Sequence, residues 1–277
     1  METSLHRQLK QLYARGAAPQ EVVLDDFRID VVVDGQLIEI QHGGLAAIRD
    51  KIRRLVEQHD VLVVKPLVAS KTIVKLDRAG GRVVSRRRSP KQAQPLDLFH
   101  ELTYFTRCFP HPRLTLDVPL VAIEEWRYPG HGRRRRWRES DHVVEDQRLI
   151  EVQQTLRLKT DQDLLALLPA PLPAPFDSAV VAQLAGVPRW VAQRITYCLR
   201  QMGIAREVGK IGNTRQYELN TPKKTIRRRR VGQASNASAG PPTTLAKVRR
   251  KAKGELASAR RVGQASEASA GPPTSLP

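Results

Sequence analysis

The chain has 277 residues, 47 Lys and Arg against 28 Asp and Glu, and a formal charge of +19. That length suits one large domain or two modest ones, and 40% hydrophobic residues support a packed core rather than disorder throughout. No apolar run reaches the roughly 18 residues needed to cross a bilayer, the N-terminal stretch reads unlike a secretory signal, and two cysteines cannot form a disulfide framework, so a reducing, cytoplasmic setting is expected. The charge points to a polyanion, with nucleic acid first.

Ser4–Arg15 places Leu5, Leu9, Leu12 and Tyr13 at helical spacing, with Gly16 as a stop and Ala17–Gln20 as a loop. Glu21–Gln41 is β-branched and alternates with period two, around Asp34-Gly35, a strong signal for a two-residue type I′ hairpin. That turn pairs Val33 with Gln36, Val31 with Ile38, Asp30 with Glu39, and Arg28 with Gln41. Ile29, Val31, Val33, Ile38 and Ile40 then share an apolar face; Arg28, Asp30, Glu39 and Gln41 share the other. Two opposed carboxylates repel by roughly 3 kcal/mol at an effective dielectric of about 20. A divalent cation would turn that repulsion into a binding site, and hard oxygen donors suit Mg²⁺ or Mn²⁺. The same pair also reads as a solvated strand face. Leu45–His59 is expected as an amphipathic helix, Val61–Val64 as a buried strand, and Thr72–Leu76 as another strand.

The order α-β-β-β-α-β, with acids on the second and third strands, resembles the PD-(D/E)XK, or restriction-endonuclease-like, nuclease superfamily. Asp30 matches its first acid and Glu39-Ile40-Gln41 its (D/E)-X-K position, with Gln41 where Lys is usual. The resemblance covers roughly residues 4–76. It implies an α/β (α+β) core, Mg²⁺ (or Mn²⁺) held by Asp30 and Glu39, a catalytic set of Asp30, Glu39 and Gln41, and metal-assisted phosphodiester hydrolysis. Gln41 removes the cation expected to orient the attacking water; Lys51 or Lys65 are candidates to replace it, and Glu21 or Glu2 could add a ligand. The superfamily's frequent dimers allow a homodimer. The body as a whole also resembles an uncharacterised bacterial family joining such a domain to a winged helix.

Leu96–Cys108 is expected as an amphipathic helix, and Leu114–Tyr128 and Val143–Leu158 as strand-rich segments. The loop between them carries Arg133, Arg134, Arg135, Arg136, Trp137 and Arg138, which could clamp phosphates and stack a base or simply be a solvated hairpin tip. Asp161–Leu168 is a short helix and Pro169–Pro175 a stiff linker. Helices from Ser178 to about Ala185 and from near Pro188 to Met202, then a basic hairpin around GKIGN, resemble a winged helix over roughly residues 161–219. Arg189, Gln193, Arg194, Tyr197 and Arg200 are candidates for its outer face, and Lys210, Asn213 and Arg215 for a wing on phosphate or minor groove. Winged helices also bind proteins.

Residues 221–277 hold 13 Lys and Arg against Glu255 and Glu267, no aromatic residue, and a duplication: RRVGQASNASAGPPTTL at Arg229–Leu245 returns at Arg260–Leu276 with two changes. A disordered basic arm on phosphates is expected. The expected domains are thus a nuclease-like core (1–95), a helix-plus-hairpin extension (96–160), a winged helix-turn-helix (161–220) and a disordered basic tail (221–277). The leading expectation is a Mg²⁺-dependent DNA endonuclease. The alternatives are a catalytically inactive DNA-binding or regulatory protein on the same fold, or a winged-helix adaptor with an RNA-binding tail.

Overall fold

The computed structural model describes residues 2–14, 16, 20–24, 26–130 and 141–220. The chain divides into Met1–Lys223 and Lys224–Pro277, and every described residue lies in the first unit. The Arg133–Arg136 loop and the basic tail fall outside the described residues, as does most of the Ala17–Gln20 loop.

Helix α1 (Ser4–Tyr13) starts at Thr3, whose hydroxyl accepts from the His6 amide, and buries Leu5 and Leu9. Strands β1 (Gln20–Leu24), β2 (Phe27–Val33) and β3 (Gln36–Ile40) form an antiparallel meander. Asp34 (φ +49°) and Gly35 (φ +78°) turn β2 into β3; two positive φ angles are the type I′ requirement, which Asp and Gly meet at low cost. A 3-10 turn (Leu45–Ile48) leads into α2 (Arg49–Leu55), a shorter helix than the sequence pattern suggests.

Strand β4 (Val61–Val64) runs parallel to β3 and is buried at every residue. Strand β5 (Leu67–Leu76) begins after Lys65 and Pro66, and β6 (Val83–Arg88) returns antiparallel to it. After α3 (Leu98–Leu102) come two long strands, β7 (Leu114–Pro129) and β8 (His142–Leu158), paired antiparallel. β4 pairs with the start of β7 and β5 with its later stretch, both parallel. Because β8 lines β7 along nearly all of this length, β4 and β5 succeed one another on β7's other side. The result is a mixed eight-stranded sheet in an α+β arrangement.

Alternation along β4 sorts the core. Leu62 and Val64 join Leu5, Leu9, Val31, Ile38 and Ile40 on the α1 side. Val61 and Val63 join Leu37, Ile52, Phe99 and Phe105 on the α2–α3 side. Each such fully buried side chain contributes about 1.5–3 kcal/mol.

The second layer continues into the C-terminal part of the described residues: α4 (Asp161–Leu165), α5 (Ser178–Ala185), α6 (Arg189–Gln201) and the hairpin β9 (Ala205–Ile211)–β10 (Thr214–Leu219). Asp177 caps α5 by accepting from the Ala179 and Val180 amides (2.7 and 2.9 Å), and Gly186 (φ +62°) ends it. Val191, Ile195, Cys198 and Leu199 are buried, and Cys198 lies against α3 through Phe99 and Thr103. Among the described residues no helix is long and apolar enough to cross a membrane.

The expected hairpin register is present from Val31–Ile38 to Val33–Gln36 but stops there, short of Asp30 and Glu39. The Asp30 carboxylate instead accepts from the Ile40 amide (2.8 Å), taking the place of a ladder bond. Beyond it β2 stays with β1, with Ile29 opposite Val22 and Arg28 opposite Val23, so Arg28 does not face Gln41. Ile29 belongs to the α2–α3 layer rather than sharing Val31's face. The alternation therefore slips where β2 leaves β3.

Candidate functional site

The place where β2 and β3 part gathers buried charge. Asp30 is bracketed from α1: His6 Nε2 lies 3.3 Å from Oδ2, and Lys10 Nζ lies 4.0 Å from Oδ1. Burial pushes the Asp30 carboxyl up, but His6, the Ile40 amide and Lys10 outweigh it and leave its pKa below the ordinary value. Glu39 receives Lys51 Nζ from α2 at 2.6 Å, and Lys51 also donates to the Arg28 carbonyl. For Glu39 burial is the stronger effect; Lys51 offsets part of it, Asp30 adds repulsion, and the pKa stays raised. Burial thus disfavours the charged form of this carboxylate.

Glu2 and Glu21 sit one side chain away, both on Lys10 Nζ (2.7 and 3.0 Å). Arg28 pairs with the outer oxygen of Glu21. The sequence pattern did not single out His6 and Lys10; the available signal is that each follows a buried leucine of α1, Leu5 or Leu9, which keeps it near the sheet.

The two lysines weighed beside Gln41 in the sequence separate cleanly. Lys51 is on Glu39. Lys65 is buried and donates to the carbonyls of His42 and Gly43 (3.1 and 2.7 Å), 3.4 Å from Glu101. Glu101 in turn accepts from the Leu45 amide. Lys65 thus ties the loop after β3 to α3. Burial pulls its pKa down, and Glu101 opposes that. Gln41 closes the same loop by donating to the Gly44 carbonyl (2.9 Å), so its amide engages backbone rather than the carboxylates.

Among the described residues no three His, Cys, Asp or Glu side chains converge as one metal site. Two carboxylates with the remaining positions left to water and substrate nevertheless match the way Mg²⁺ is commonly held, since it keeps several waters. The donor chemistry, hard carboxylate oxygen, is of the kind such an ion takes.

A second region lies on α6. Arg189, Gln193, Tyr197 and Arg200 face an open groove of about 300 Å³, closed on its other side by Asn213 and Arg215 of the hairpin. Lys210 is exposed opposite Arg215 in the β9–β10 pairing. Arg194 sits apart from this groove: it stacks on Trp190 (5.0 Å) and bonds the His100 ring of α3.

A family model described as Domain of unknown function (DUF8091) matches residues 3–159. The chain belongs to this family. The DUF8091 match ends with β8, so it contains the sheet and the charged strand end and leaves out α4–β10. A Treponema pallidum (strain Nichols) protein described as "Uncharacterized protein" is 30% identical over 223 residues, covering 80% of this chain and 86% of its own length. No solved structure matches the chain.

Proposed function

We propose that the protein is a Mg²⁺-dependent phosphodiesterase of the PD-(D/E)XK type acting on DNA, with Asp30 and Glu39 as metal ligands. The observation that carries this reading is Lys51 on Glu39 at 2.6 Å. It supplies from α2 a cation at the third strand, beside the buried Glu39 and the half-buried Asp30 at the parting of β2 and β3. A bound metal would lower the pKa of a water and stabilise charge developing on the phosphate. Lys51 would steady the nucleophile and offset negative charge, while the Ile40 amide and His6 fix Asp30. Gln41 would shape the loop rather than meet the scissile group. The helix–helix–hairpin unit, in this reading a winged helix, would dock the duplex through Arg189, Gln193, Tyr197 and Arg215. The basic 221–277 arm would add affinity without reading sequence.

The test is incubation of the full chain with plasmid, linear and single-stranded DNA in Mg²⁺ or Mn²⁺. Metal-dependent cleavage should fall on the order of 1,000-fold in Asp30→Asn and Glu39→Gln, each with DNA binding kept. Binding without cleavage under every metal would instead support the second reading, a non-catalytic DNA-binding protein on the same fold. That reading has its own observation: each acid is already met, Asp30 by an amide and Glu39 by Lys51.

A further inference from the structure

The groove on α6 does not end the basic surface. Tyr197 lines that groove and also a second open cleft of about 390 Å³ bounded by α2 and the turns after α3. Its cations are Arg49, Arg53 and Arg107, all exposed, and its one acid is Asp50. Asp50 is met by Arg49 (3.3 Å) and by Arg53 (3.7 Å), so positive charge is left over. Tyr104 lines the same cleft and is 62% exposed, so most of its surface is open to solvent beside those cations.

Helical spacing explains how the two tyrosines come to flank one opening. Trp190, Arg194 and Tyr197 fall at i, i+4 and i+7 on α6, and His100 and Tyr104 at i and i+4 on and just after α3. The upper part of this seam is filled: His100 and Trp190 are 4.8 Å apart in a tilted stack, with Arg194 on the Trp190 ring. The lower part is empty of protein and carries the two phenol rings, with the arginines of α2 and Arg107 beside them. A groove of cations with exposed aromatic faces is the chemistry that holds unpaired nucleic acid, since any base can stack and the guanidinium groups follow the backbone. A duplex, with its bases already stacked, has no use for Tyr104.

We propose that the cleft between α2 and α3 is a second nucleic-acid subsite that takes an unpaired strand leaving the groove on α6, with bases on Tyr104 and Tyr197 and phosphates on Arg53 and Arg107. This rests on the reading of the α6 groove as a duplex-docking surface. The preferred ligand is therefore a junction of paired and unpaired DNA.

The experiment compares binding of the full chain, by fluorescence anisotropy, to a blunt duplex and to the same duplex with a single-stranded tail of about ten nucleotides. The tail should tighten binding about tenfold. Tyr104→Ala and the pair Arg53→Gln with Arg107→Gln should remove that gain and leave blunt-duplex binding unchanged, while Tyr104→Phe, which keeps the ring, should retain it. Exposure of all three side chains makes these variants safe for folding. A blunt duplex that binds with no gain from the tail, or a gain that survives Tyr104→Ala, overturns the subsite and leaves the α6 groove standing. Failure of both DNAs to bind overturns the groove and the subsite together.

Discussion

The parting of β2 and β3 and the groove on α6 are both rich in charge and hold it in opposite ways. At the strand end Glu39 is buried and Asp30 half-buried, and both are engaged: Asp30 by an amide and His6, Glu39 by Lys51. In the groove Arg189, Arg200 and Arg215 face an opening with no acid in its lining. Buried charges interact strongly at short range and resist salt, so they set geometry and reactivity. Exposed cations give long-range, salt-dependent attraction and little stability. Under the proposed function, chemistry belongs to the first region and capture to the second.

Substitutions can break or sharpen this division. The largest expected effect falls on stability. Lys65→Met removes the donor that ties the β3–α2 loop to Glu101 and should cost roughly 2–3 kcal/mol, read from urea unfolding; the partial exposure of Glu101 keeps the figure below that of a fully buried pair. Lys51→Met should do the reverse. It should lower metal-dependent cleavage about 100-fold, with a urea midpoint close to that of the parent chain, because burial already disfavours the charged form of Glu39. Equal stability losses for both lysines would erase the distinction between them.

Next comes Asp177→Ala, which deletes the α5 cap and should cost about 1 kcal/mol. Hydrogen bonds from the Val180 and Ala179 amides lower the Asp177 pKa in the folded chain. A lowered carboxylate pKa stabilises above the unfolded value and loses that contribution as pH falls through the folded value. The variant and the parent should therefore converge in acid, and a constant gap from neutral to acid would exclude the cap as its cause. Smallest, Arg189→Gln and Arg215→Gln should each weaken DNA binding a few-fold for all sequences and reduce the salt slope by about one. An unchanged slope in either would remove that arginine from the phosphate-contacting set.

Much of the architecture was legible in the sequence because local signals agreed. Asp34-Gly35 fixed the hairpin turn, and alternation fixed the pairing of Val31 with Ile38. Asp177, Gly186, Pro188 and Gly203 bounded α5 and α6 to within about a residue. Other features have no local signature. β6 is exposed along its whole length, so Val83–Arg88 shows no buried face to create a period. The site was half legible: Asp30 and Glu39 stood out, but the slip that gives Asp30 the Ile40 amide depends on β2 following β1 instead of β3. The contrasting roles of Lys51 and Lys65 depend on where α2 and α3 pack, which spacing along the chain does not specify.

The most direct measurement of the central claim is Mn²⁺ binding to the full chain, followed by electron paramagnetic resonance with Mg²⁺ as competitor. Saturable Mn²⁺ binding that Mg²⁺ displaces, lost in both Asp30→Asn and Glu39→Gln, is the expected result. Binding that is absent from the parent chain, or that survives both substitutions, would contradict a metal site where β2 and β3 part.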